Sequence, residues 1–127
     1  MQLTPEIRRA VNLVAGYSDR ELRVRDRVFR ASVIVTAEHV LDWPVASVAA
    51  LEPAAFGPLY ALKVEIVLLA TGARQEFPSP AVIAAAAARR VGLEVMDIGA
   101  ACRTYNVLVG EDRPVALAAV LPGDSSR

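Results

Sequence analysis

Between residues 64 and 121 the apolar pattern switches repeatedly between continuous runs and helical spacing, and this succession limits the chain to few folds. Residues 64–70 are almost wholly apolar, as a strand buried on both faces must be. A polar loop covers residues 71–78. Ser79 then stands where a helix cap is needed, with Pro80 at the first helical position, where a missing N–H costs nothing. That helix is expected to reach about Val91, with Gly92 supplying a left-handed stop. Residues 93–96 form a short strand, and Asp97 caps a second helix. There Ile98, Ala101, Cys102, Tyr105, Leu108 and Val109 recur at three- and four-residue spacing as one apolar stripe, with Arg103 and Asn106 off it. Residues 114–121 are a last apolar strand.

Strand, helix, strand, helix, strand implies an α/β fold. With right-handed crossovers the first two strands run parallel between helices, while the direction of the last is open. The first third reads as β structure. Residues 12–17 form a short strand, residues 21–25 alternate polar and apolar, and Arg25-Asp26 turns into a second arm over residues 28–36. The resulting hairpin carries Arg20, Arg23, Arg25, Arg27 and Arg30. Trp43-Pro44 breaks the pattern, and residues 53–59 supply a short helix interrupted near Gly57-Pro58. The expected architecture has three layers: a mixed central sheet, flanking helices and an N-terminal β-hairpin region. It forms a single domain over residues 1–122, followed by a loose tail over 123–127.

The 127 residues are 54% hydrophobic and 22% charged, a composition that folds. Fourteen basic and 14 acidic side chains cancel, which excludes a general polyanion binder such as a non-specific nucleic-acid protein. Residues 1–30 nevertheless hold seven arginines against four acids, so positive charge collects on the hairpin. The arginines suit either a solvated face or a docking surface for an acidic partner. The lone Cys102 can form neither an internal disulfide nor a cysteine-rich zinc site. No signal peptide is expected from MQLTPEIRRA, and no apolar run approaches the roughly 20 residues that span a bilayer. A cytoplasmic location is therefore expected.

The loop at residues 71–78 and the turn at Asp97 both leave the carboxyl ends of strands, where open α/β sheets place clefts. A candidate cleft is lined by Thr71, Gly72, Arg74, Asp97, Arg103, Asn106 and Glu111. Thr71-Gly72-Ala73-Arg74 lacks the three glycines of a dinucleotide fingerprint, so no cofactor is expected. Asp97 fits a cap better than a catalytic acid, and Arg74 is positioned to pair with it across the cleft. Cys102 reads as a core thiol with a raised pKa, distant from His39 in sequence, and Tyr105 as a core residue whose hydroxyl seeks a partner. No metal site is expected.

The residues Thr71-Gly72, Glu94-Val95-Met96-Asp97, Ala100-Ala101, Thr104-Tyr105-Asn106, Leu108, Glu111, Arg113 and Val115 closely resemble the motifs of the Mth-domain family. Ala70 stands where that family usually has the first glycine of Gly-Thr-Gly, and Ile98 where it usually has threonine. The resemblance implies a small three-layer α/β fold without established enzymatic activity. It also implies members that assist assembly of the respiratory NADH dehydrogenase through protein contacts. The expected function is thus that of a non-catalytic, protein-binding domain assisting assembly of a respiratory membrane complex, with a subunit of that complex as partner. The alternative is a small-molecule site or enzyme in the cleft. The oligomeric state is left open.

Overall fold

A computed structural model describes residues 11–123. Three short strands, β1 (Val14–Tyr17), β2 (Leu22–Val24) and β3 (Arg27–Phe29), form an antiparallel sheet. A larger sheet contains β4 (Ala31–Val35), β5 (Val40–Asp42), β6 (Ile66–Ala70), β7 (Gly92–Met96) and β8 (Val115–Pro122), in the order β5-β4-β8-β6-β7. A 3-10 turn, Pro53–Phe56, runs into α1 (Gly57–Ala61); α2 (Pro80–Ala88) and α3 (Ile98–Gly110) flank β7 in sequence. β6 is parallel to both β7 and β8, whereas β4 is antiparallel to β5 and β8. The sheet is therefore mixed, and its last strand lies at its centre.

Alternation along the central strands divides the interior in two, because successive side chains point to opposite faces. Val33, Val35, Leu68, Ala70, Leu117 and Ala119 face the small sheet and the α3 stripe. Ile34, Val67, Leu69, Ala116 and Ala118 face Trp43, Phe56, Leu59 and Val82 of the opposite layer. Small alanines on β8 let both layers approach the sheet. Each fully buried Leu, Ile or Val contributes roughly 1.5–3 kcal/mol.

Four local expectations need correction. The arm over residues 28–36 is two strands in two sheets, divided at Arg30, so one continuous hairpin does not form. β5 pairs with β4 where no strand was expected, and Trp43 follows it directly. Ser79 occupies the cap position of α2, but its side chain makes no capping bond; its carbonyl accepts from the N–H groups of Val82 and Ile83. The helix is closed by Arg90 rather than Gly92. Arg90 takes φ +60°, and the N–H of Val91 reaches back to the Ala86 carbonyl at 3.0 Å. Gly92 is thereby free to open β7, donating to Glu65 at 2.9 Å. Residues 124–127, most of the expected tail, lie outside the described residues.

Candidate functional site

The carboxyl edge of the sheet is stitched shut by its own hydrogen bonds. Thr71 continues the β6–β7 ladder, its N–H donating to Met96 O at 2.9 Å. Its hydroxyl donates to Arg74 O at 2.6 Å and accepts from the Glu76 N–H at 3.1 Å. Gly72, at φ +93°, turns its carbonyl to accept from the Ile98 N–H at 2.8 Å, a backbone path open to glycine. Gln75 Nε2 donates to Val95 O at 2.9 Å. The loop is thus fastened to the turn opposite it. Asp97 Oδ1 accepts from the Ala100 N–H at 2.9 Å, confirming the cap, and the expected Arg74–Asp97 ion pair does not form. Asp97→Ala should lower stability by about 1 kcal/mol, measured by urea unfolding with or without added metabolites. A loss seen only when a metabolite is present would refute the capping role.

Along α3 the residues off the apolar stripe reach the small sheet. Asn106 accepts from the Val14 N–H at 2.9 Å and donates from Nδ2 to the Val14 carbonyl at 3.0 Å. Arg103 Nη1 donates to the Tyr17 hydroxyl at 3.0 Å. Gly99 sits beneath this pair, where a Cβ would lie 3.0 Å from the Tyr17 hydroxyl oxygen. The buried Tyr105 donates to Asn12 O at 2.7 Å, satisfying the hydroxyl whose partner the sequence left open. Burial also pushes the Tyr105 pKa upward. Asn12 further accepts from Arg25 Nε at 2.7 Å and donates to Thr36 O at 3.1 Å. Through its side-chain amide and its backbone carbonyl, this buried residue joins the small sheet, the large sheet and α3. Nothing in its sequence context distinguishes it from an ordinary strand-end asparagine.

Thr71, Gly72 and Asp97 meet at the start of α3, but the seven cleft residues do not close on one site. Glu111 caps the far end of α3, about 20 Å from Asp97 at 1.5 Å of rise per residue. Arg103 and Asn106 border a hollow of about 100 Å³ beside Cys102 and residues 14–17, below the 300–1,000 Å³ typical of ligand pockets. Ala70 and Ile98, the two departures from the family motif, are buried in the core on the α3 side. A hollow of about 410 Å³ opens at the opposite edge of the sheet, among residues 36–39, Leu62, Val64, Val109 and residues 112–115. Its charged side chains come from turns that lie far apart in sequence.

The hairpin arginines are exposed, and Arg25, Arg27 and Arg30 among them make local contacts. Arg30 Nε lies 3.2 Å from Glu21 Oε1, Arg27 stands over the Phe29 ring at 4.6 Å, and Arg25 holds Asn12. Arg23 borders a hollow of about 270 Å³ with Gly16, Tyr17, Glu21 and Val28 on the outer face of the small sheet; Arg20 is exposed at the start of the hairpin. Cys102 is buried, and desolvation pushes its thiol up to about 12 despite the nearby Arg103 charge. Such a thiol is protonated at neutral pH. His39 lies in the β4–β5 turn and lines the 410 Å³ hollow. Among the described residues no group of three His, Cys, Asp or Glu is placed to hold a metal, and no helix is long and apolar enough to cross a membrane.

These features define a class: a three-layer α/β domain whose small antiparallel sheet is strapped to α3 by side-chain-to-backbone bonds. Residues 14–120 match the family described as "Protein of unknown function (DUF498/DUF598)", and the chain belongs to that family. A Xanthomonas campestris protein solved by NMR is 38% identical, with a TM-score of 0.83 covering 91% of this chain and 89% of that one. A Bordetella pertussis protein described as a Mth938-like domain is 29% identical, with a TM-score of 0.79 covering 98% and 95%. The Mth-domain resemblance therefore holds. Among curated relatives, the NADH dehydrogenase [ubiquinone] 1 alpha subcomplex assembly factor 3 of Danio rerio is 29% identical over 93% of this chain and 69% of its own length. The Bos taurus protein of the same name is 32% identical over 86% and 60%.

Proposed function

We propose that this domain binds a protein subunit of a respiratory membrane complex and assists its assembly without catalysing a reaction. The observation that carries the reading is the name shared by the Danio rerio and Bos taurus relatives, whose similarity extends over 93% and 86% of this chain. Two features support a binding role over chemistry. The polar residues of the carboxyl edge are occupied in holding turns together, and the one thiol is buried with its pKa raised to about 12. The single, free cysteine also supports a cytoplasmic setting.

The proposed contact surface is the arginine hairpin, whose exposed guanidinium groups suit an acidic partner surface. Arg25 is best spared in a test, because it anchors Asn12. Replacing Arg20, Arg23 and Arg27 by glutamate should weaken capture of peripheral complex subunits at least tenfold, while the thermal midpoint stays within a few degrees. Binding to immobilised, purified subunits gives the readout. Unchanged capture would remove the hairpin as the contact surface, and no capture by the unaltered protein would remove the assembly reading.

A further inference from the structure

The layer that covers the second core face has an unusual outer surface. It consists of residues 43–62 and 77–88, and among all of these Glu52 is the sole charged side chain. At the chain's average of 22% charged, about seven would be expected. The segments are neighbours in space: both contribute to one core cluster, and Arg89, just beyond α2, stands 4.5 Å over the Tyr60 ring of α1. α2 has no polar side chain along its length, yet only Val82 and Ala86 are buried. Phe77 is 63% exposed and Ile83 43%. A helix apolar on every side is ordinarily enclosed, and an apolar surface this broad, carrying the single charge of Glu52, marks a contact site.

We infer that this face docks a second copy of the chain across a two-fold axis. In such an interface the residues near the axis meet their own copies, so a charge placed there meets its like. This helical layer avoids that conflict almost completely, whereas the arginine hairpin would set arginine against arginine. The size also fits. Roughly 20 exposed residues make up the layer, and a standard interface uses about 20–30 per side. Its usual burial of about 800 Å² per partner is roughly a tenth of the 7439 Å² accessible surface. Alanines at 81, 84 and 88 let two helices approach to about 8 Å, with Ile83 and Phe77 filling the flanks.

Two other occupants fit less well. A bilayer surface favours helices rich in Trp, Phe and Leu, and this nine-residue helix offers mainly methyl groups. Pairing of two copies through the outer strand β7 is hindered because Gln75 already occupies the Val95 carbonyl.

Sedimentation velocity on the full chain at micromolar concentration tests the inference. The unaltered protein should sediment as a dimer. Ile83→Glu, which would place two carboxylates against an apolar face, should weaken dimerisation about 100-fold and leave a monomer with an unchanged far-UV spectrum. Ala84→Arg should do the same and keeps the test decisive if the first variant fails to fold. Arg23→Glu should remain a dimer. A monomeric unaltered protein would overturn the inference, as would a dimer that survives both α2 substitutions. So would a monomer that pellets with anionic phosphatidylglycerol vesicles, which would assign the face to a bilayer.

Discussion

Asn106→Ala is expected to destabilise the fold by about 2–4 kcal/mol whether or not any small molecule is present. The side chain serves the N–H and the carbonyl of Val14 together, at 2.9 and 3.0 Å, and so does the work of a neighbouring strand. Truncation leaves both groups without a protein partner at a position where Val14 is itself buried, and each orphaned group costs roughly 1–3 kcal/mol unless water reaches it. Asn106→Asp should recover part of the loss, because the acceptor for Val14 N–H is kept while the donor is not. Urea unfolding gives the magnitude, and amide hydrogen exchange at residues 14–17 locates it. A loss under about 0.5 kcal/mol, with exchange unchanged at Val14, would show that Asn106 is available for a ligand.

Trp43→Ala should cost still more, about 3–5 kcal/mol, the range for removing a large buried aromatic ring. Trp43 meets Phe56 edge-on, with ring centroids 5.7 Å apart at 84°, and its indole N–H donates to Ala55 O at 2.8 Å. It follows β5 directly, so one side chain fastens an edge strand of the large sheet to the helical layer. Trp43→Phe keeps an aromatic ring but leaves the Ala55 carbonyl unpartnered, and should cost about 1–2 kcal/mol. Because this is the only tryptophan, unfolding must be followed by far-UV circular dichroism. Equal losses for the two variants would mean that the hydrogen bond, not the packing, holds the layer.

The segments that were legible in the sequence are those whose local signals agree with their long-range partners. β6, α3 and the Asp97 cap followed from uninterrupted apolar runs, a stripe at helical spacing and an acid at its start. β5 was hidden, because three residues before Trp43-Pro44 carry no periodicity and the strand exists through its pairing with β4. The split at Arg30 left no turn residue to mark it, since the chain passes between sheets while staying extended. The end of α2 misleads for a different reason. There Arg90 adopts φ +60° as a non-glycine residue, because the last turn gains bonds that offset the strain. The residues of the candidate cleft share positions near strand ends or off the helical stripe. A stripe tells which side of a helix a residue occupies but not which neighbour lies there, so Asn106 and Glu111 share a sequence signal with Asp97 without a common destination.

The central position of β8 has a consequence for how the protein is made. Its neighbours β4 and β6 cannot meet each other, and the bond between Ser32 and Leu121 joins residues 89 positions apart. During synthesis the earlier strands must therefore wait, with apolar faces uncovered, until the strand that joins them leaves the ribosome. Contacts so distant along the chain slow folding and lengthen the interval in which aggregation competes.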